Sequence, residues 1–177
     1  MDRRGFCRTL ALALPGLAAA QRIAPDMYFA GTPQAIVESM LRLARVTAAD
    51  VVYDLGSGDG RIPIIAAQHY GARGVGIEIQ PPLVQMARQV AREGGVEDRV
   101  TFVEGDLFAA DVSPATVVTL WLNESMNARL EPKLKRELKA GARIVSHQFP
   151  IGRWTPQETV HLDRVDLFLW VVGPFRN

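Results

Sequence analysis

The sequence predicts an α/β fold, a doubly wound seven-stranded sheet, mostly parallel with an antiparallel closing strand. Three observations predict it. Short apolar runs alternate with helical stretches, the pattern of parallel strands buried on both faces. The first run, Val51 to Tyr53, passes through a loop with three glycines into an apolar helix that starts at Arg61. The chain ends in two runs, Glu158 to Leu162 and Asp166 to Val172, joined by a tight turn near Asp163-Arg164, and such a hairpin leaves one strand antiparallel.

The 177 residues, 48% of them hydrophobic, support one domain with an ordinary core. A single cysteine excludes an internal disulfide and a Cys-rich metal site. Three scattered histidines lack a ligand-like spacing, so no bound metal is expected.

The first twenty residues read differently from the rest. Asp2-Arg3-Arg4-Gly5-Phe6-Cys7-Arg8 resembles a twin-arginine export signal. Thr9 to Leu17 supply an apolar run too short to span a bilayer, and Ala18-Ala19-Ala20 resembles a small-residue cleavage site. The expectation is a signal peptide over 1–20, a mature domain over 21–177, export to the periplasm, and no stable membrane anchor after processing. Without that signal the location is cytoplasmic. Residues 1–20 hold Arg3, Arg4, Arg8 and Asp2, so their removal takes the formal charge from +1 to −1. A domain that close to neutral carries no electrostatic footprint for nucleic acid.

Thr32 is placed to cap a helix with Pro33 at its first position, and the helix runs to Arg45 with Ile36, Val37, Met40, Leu41 and Ala44 on one face. After the glycine loop the next helix ends at Gly71. Gly74 to Glu78 is the second strand. Gln80-Pro81-Pro82 opens a helix whose buried stripe is Leu83, Val84, Ala87, Val90 and Ala91, stopped by Gly94-Gly95. Val100 to Val103 is the third strand and Ala115 to Leu122 the fourth. Ser125 caps a helix through Lys139, and its Lys133, Lys135, Arg136 and Lys139 read as a solvated face broken by Glu131 and Glu137. Arg143 to His147 is the fifth strand.

The loop decides the ligand. Asp54-x-Gly56-x-Gly58-x-Gly60 departs from the dinucleotide fingerprint, because the position that needs the third glycine holds Arg61. Asp54 and Asp59 bracket the loop and would repel a pyrophosphate. A cofactor with positive charge and no phosphate suits them, as S-adenosylmethionine does with its sulfonium and ammonium. Glu78 closes the second strand, where a carboxylate can accept both ribose hydroxyls. Asp106 follows the third strand, placed for the exocyclic amine of adenine, with Leu107 over the ring.

With these residues in place, the chain from about residue 26 onward resembles the class I, seven-β-strand S-adenosylmethionine-dependent methyltransferases, whose sheet is Rossmann-like. The resemblance implies cofactor binding by Asp54, Gly56, Gly58, Gly60, Glu78, Ile79, Asp106 and Leu107. More narrowly, Thr32-Pro33, Asp54 to Arg61, Val117 to Leu120, Pro132-Lys133-Leu134, Val145-Ser146-His147 and Trp154 are similar to small protein-lysine methyltransferases, of the archaeal broad-specificity and ATP synthase c-subunit types. Two departures fall on the acceptor side. Phe29 and Gly31 stand where the family carries Tyr and Pro, and Asn123-Glu124 replace an apolar pair.

The resemblance implies an acceptor protein with an accessible lysine, and the chain is expected to act as a monomer. Phe29, Trp121 and Trp154 are candidates to line an apolar channel, Asn123 to orient the amine, and His147 to serve as a base or a structural residue. Alternative readings are a small-molecule methyltransferase, a non-catalytic S-adenosylmethionine-binding protein, and a nicotinamide oxidoreductase, the last disfavoured by Arg61.

Overall fold

The structure is a computed structural model that describes residues 31–173; residues 1–20, Tyr28 and Phe29 lie outside the described residues. In chain order the elements are α1 (Gln34–Leu43), β1 (Val51–Leu55), α2 (Arg61–Tyr70), β2 (Arg73–Glu78), α3 (Pro81–Glu93), β3 (Val100–Glu104), β4 (Val117–Leu120), α4 (Glu124–Glu137), β5 (Arg143–His147), β6 (Glu158–Leu162) and β7 (Val165–Val171). The strands form one sheet in the order β3-β2-β1-β4-β5-β7-β6. Only β7 runs against its neighbours, pairing antiparallel with both β5 and β6.

The order reverses between β1 and β4. At such a switch point the loops leaving the two strands diverge, and a crevice opens at the carboxyl edge of the sheet. Val37, Met40 and Leu41 of α1 and Ile62 and Ala66 of α2 pack on one face with Val52, Val117 and Val145. Met126, Leu130 and Leu134 of α4 cover the other face over Tyr53, Leu120, Ile144 and Trp170. On α3, Val84, Ala87 and Ala91 meet Ile64 of α2 and Phe102 of β3.

Several boundaries differ from expectation, each for a local reason. Pro33, at φ −54° and ψ 140°, takes the cap position of α1 with no side-chain cap bond. Thr32 is buried instead, and its carbonyl accepts from the Arg61 guanidinium. β4 spans four residues, because the chain beyond Leu120 turns towards α4. Asn123 caps that helix in place of Ser125: its Oδ1 accepts from the Met126 N–H at 2.9 Å and from the Ser125 hydroxyl. α4 ends at Glu137, two residues short of Lys139. Val90 is exposed, one residue off the buried stripe of α3.

Lys133, expected on a solvated face, is buried, with its ammonium 2.7 Å from Glu137. Lys135 pairs with Glu131 and lies over the Trp154 ring, and Arg136 pairs with Glu137. Three of the four basic residues of this stretch are thus paired with two acids, Glu131 and Glu137.

The amino edge of the sheet is pinned by Asp50, which is 5% exposed. It accepts from the Thr47 N–H and hydroxyl and from the Thr116 hydroxyl, and pairs with the Arg143 guanidinium. Burial alone would raise its pKa, but these partners outweigh burial and hold the carboxyl below its ordinary value. Asp50→Ala strips Arg143 of its counter-charge, and we expect a loss of about 2–4 kcal/mol, read as a shift of the urea midpoint at unchanged slope. The Asp50 contribution is present above the unfolded carboxylate pKa and is lost as pH falls through the lower folded value.

Candidate functional site

The site grows from the way β1 ends. After Leu55 the chain must turn sharply into α2, and Gly56, Gly58 and Gly60 take φ of 84°, 54° and 78°, a region that side chains resist. The turn is tied down from β2, since the Gly56 and Ser57 N–H groups both donate to the Ile77 carbonyl. Glu78 does the rest. Its Oε2 accepts from the Gly58 N–H at 2.9 Å and its Oε1 from the Gln80 N–H at 2.8 Å. At 6% exposure the carboxylate is held against the loop by these two bonds. Each oxygen keeps a second acceptor position, which is what a pair of ribose hydroxyls needs.

Asp54, on β1, is 4% exposed and lies beside Gly76 and Thr119 in the register of the sheet. Thr119 Oγ1 donates to its Oδ1 at 2.7 Å. Burial pushes its pKa up to about 7, against that hydrogen bond and with help from the negative charges of Asp59 and Glu78. A proton held this way is released when a cation arrives. S-adenosylhomocysteine retains the ammonium, so its binding should release a proton near neutral pH. We expect its affinity to be about tenfold weaker at about pH 6 than at about pH 8, with calorimetric heats that depend on the buffer's ionisation enthalpy. The same raised value makes the unliganded chain gain stability as pH falls from about 7 towards the unfolded carboxylate range.

Asp59 is not the free, ligand-facing charge that the sequence suggests. Both its oxygens are held by Arg61, with Nε 2.9 Å from Oδ1. The acids left at the loop without a cationic partner are Asp54, which charges when it gives up its proton, and Glu78. Asp106 stands after β3, where its Oδ1 accepts from the Phe108 N–H at 2.8 Å in a tight turn. Leu107 is buried next to it, packed in the core that holds Leu55 and Leu122, and Ile79 is half-buried beyond Glu78. The eight residues expected at the cofactor therefore line the carboxyl ends of β1, β2 and β3. An acid-lined cradle with backbone turned by glycine fits a cationic nucleoside without phosphate.

The neighbouring strand ends carry a different chemistry. Trp121, half-buried past β4, faces His147 at the end of β5 with ring centroids 4.7 Å apart. His147 is 3% exposed, and neither ring nitrogen has a hydrogen-bond partner. Burial lowers its pKa, so the ring is neutral at physiological pH. Asn123, two residues past Trp121, has its Oδ1 engaged in the α4 cap. Trp154 packs with its ring 6.3 Å from that of Trp170, and its carbonyl accepts from the Trp170 indole. Asn127, fully buried on α4, is a site residue that sequence reasoning misses. It donates to the Ser146 hydroxyl and the Phe149 carbonyl and braces the corner that follows His147. Its only sequence signal is a polar residue on an otherwise apolar stripe. Among the described residues no group of three His, Cys, Asp or Glu side chains could hold a metal ion.

Residues 54–158 match the family model of the ANTKMT methyltransferase domain. The protein-lysine N-methyltransferase of Saccharolobus islandicus (strain REY15A) is 40% identical over 84% of this chain and 96% of its own length. The Mus musculus lysine N-methyltransferase of the ATP synthase c-subunit is 39% identical over 70% of this chain, which spans about half (49%) of that longer protein. Among solved structures, a protein described as an RNA methyltransferase from Salinibacter ruber, in complex with S-adenosyl-L-homocysteine, superposes with a TM-score of 0.82 at 52% identity. That match covers 84% of this chain and 97% of the other.

Proposed function

This chain belongs to the ANTKMT methyltransferase domain family and takes S-adenosylmethionine as its cofactor, and from that premise we propose that it methylates the ε-amine of lysine in a protein acceptor. One observation supports this above the others. Next to the acid-lined cradle the site turns aromatic and uncharged, with Trp121 set against a neutral His147.

A lysine must be neutral to act as a nucleophile, and from a pKa of about 10.4 that costs roughly 4 kcal/mol near neutral pH. A surface of Trp121 and neutral imidazole disfavours the ammonium and lowers that cost. The cofactor supplies the methyl on a sulfonium whose charge disperses as the methyl moves. What remains for the protein is to align two reactants, worth roughly 7–11 kcal/mol. Glu78 and Asp106 hold the nucleoside, and Asp54 faces its cationic end. Trp121 and Phe29 orient the amine, Asn123 is spent on the α4 cap rather than on the amine, and His147 offers a ring nitrogen to a proton that water can also accept. Trp121→Ala should lower kcat by about 10–100-fold, with the affinity for S-adenosylhomocysteine unchanged, since the ring orients only the acceptor.

The test is incubation with tritiated cofactor and a cell lysate, followed by a gel. Label in protease-sensitive bands, mapped by mass spectrometry to lysine, supports the proposal. Label confined to small molecules contradicts it. A second reading, methylation of RNA, is favoured by the description of the Salinibacter ruber structure, and ribonuclease-sensitive label would establish it. The paired cations of α4 and the near-neutral charge weigh against RNA. We also propose that the mature chain is an exported monomer. Its amino terminus from a native host is then Gln21, and it elutes from a sizing column at the mass of one chain.

A further inference from the structure

Arg61 joins two parts of the chain that the reaction uses for different purposes. Its Nε and Nη2 hold both carboxylate oxygens of Asp59, a residue set between Gly58 and Gly60 in the cofactor loop. Its Nη1 donates to the Thr32 carbonyl at 2.7 Å, across 29 residues of sequence. Thr32 is 3% exposed, and the next residue, Pro33, supplies the carbonyl that accepts from the Ile36 and Val37 N–H groups to start α1. The guanidinium also lies close against Gly31. A Cβ built there would sit 2.6 Å from Cζ and 2.7 Å from Nη1, so a side chain at this position requires the guanidinium to shift.

We propose that Arg61 is a positioning residue that transmits occupancy of the cofactor loop to the backbone leading into α1. The proposal rests on the cofactor reading of the loop and not on the identity of the acceptor. Asp59 lies within the loop, between Gly58 and Gly60, so whatever restricts the loop also restricts the Asp59 carboxylate. A bound nucleoside holds the loop through Glu78 and the turned glycines, which fixes the Asp59 carboxylate. The planar fork of Arg61 then has one orientation, and Thr32 receives its hydrogen bond in one place. Coupling of this kind needs a differential effect on the two states and no large movement.

Hydrogen exchange on the full-length chain tests this. In the wild type, saturating S-adenosylhomocysteine should slow exchange of the Ile36 and Val37 amides by about fivefold, the size expected from one net hydrogen bond. Arg61→Met keeps the apolar stem and removes the fork. It should abolish that slowing, retain the slowing of the Gly58 and Gly60 amides, and bind the ligand within about threefold of wild type. Gly31→Ala displaces the guanidinium with its charge intact and should give the same loss at α1. Slowing at Ile36 and Val37 that survives either substitution overturns the proposal, as does its absence in a saturated wild type. Loss of ligand binding in Arg61→Met also overturns it, by making Arg61 a cofactor ligand. A wild type that does not bind S-adenosylhomocysteine at all would instead overturn the cofactor reading, and this proposal with it.

Discussion

Glu78→Ala should weaken the binding of S-adenosylhomocysteine by about three orders of magnitude while the chain stays folded. The carboxylate does two jobs. It accepts from Gly58 and Gln80, which holds the glycine loop against β2. In the proposed site its remaining lone pairs accept from the ribose hydroxyls. Hydrogen bonds to a charged group contribute about 1.5–3 kcal/mol each, so losing a brace and a bidentate acceptor together amounts to about 4 kcal/mol, or a thousandfold in Kd. Glu78→Gln keeps one acceptor oxygen and should fall in between. A second consequence separates this from general damage. Glu78 is among the negative charges that raise the Asp54 pKa, so in Glu78→Ala the pH midpoint of the residual binding moves down. Titration calorimetry across pH reads both effects.

Gly60→Ala should cost about 3–4 kcal/mol of stability and lower the melting temperature by about 10 °C. Two penalties coincide at this residue. Its φ of 78° lies in the left-handed region, and a Cβ there would stand 2.5 Å from the Phe102 ring and 2.8 Å from the Ala87 methyl. Both neighbours are buried, Phe102 at 4% and Ala87 at 0%, so neither can yield without opening the layer between α3 and β3. Gly95→Ala is the control. That residue also has a positive φ, 66°, but a Cβ placed on it would meet nothing within 4 Å. It should lose only the backbone strain, about 1 kcal/mol. Differential scanning calorimetry of the two variants separates strain from collision.

The parts of this molecule that sequence reveals are those set by local chemistry. Continuous apolar runs between glycines suit buried strands, which makes the succession of strands and helices along the chain and the acid at the end of β2 readable. The family resemblance then implies the topology of the sheet, and the matches to known methyltransferases agree with it. What stays hidden depends on where the chain turns. Asn123 and Ser125 are both competent caps, and the choice of Asn123 follows from β4 releasing the chain at Leu120, two residues earlier than its apolar run suggests. In the sequence Asp59 and Arg61 look like a ligand-facing acid and a misplaced glycine. Only the left-handed turn at Gly60 swings one onto the other. Lys133 looks solvated because polar residues follow it at two and three positions, yet the apolar stripe of α4 carries it inward, and Glu137 one turn on neutralises it.

We propose that acids at the ends of β1, β2 and β3 select a cationic nucleoside that lacks phosphate, and the other proposals for this site follow from that selection. Competition calorimetry with S-adenosylhomocysteine and NAD on the wild-type chain tests it most directly. The expected result is saturable binding of S-adenosylhomocysteine with release of a proton near neutral pH, and no heat or competition from NAD in large excess. Binding of NAD at comparable affinity, displaced by S-adenosylhomocysteine, would contradict it.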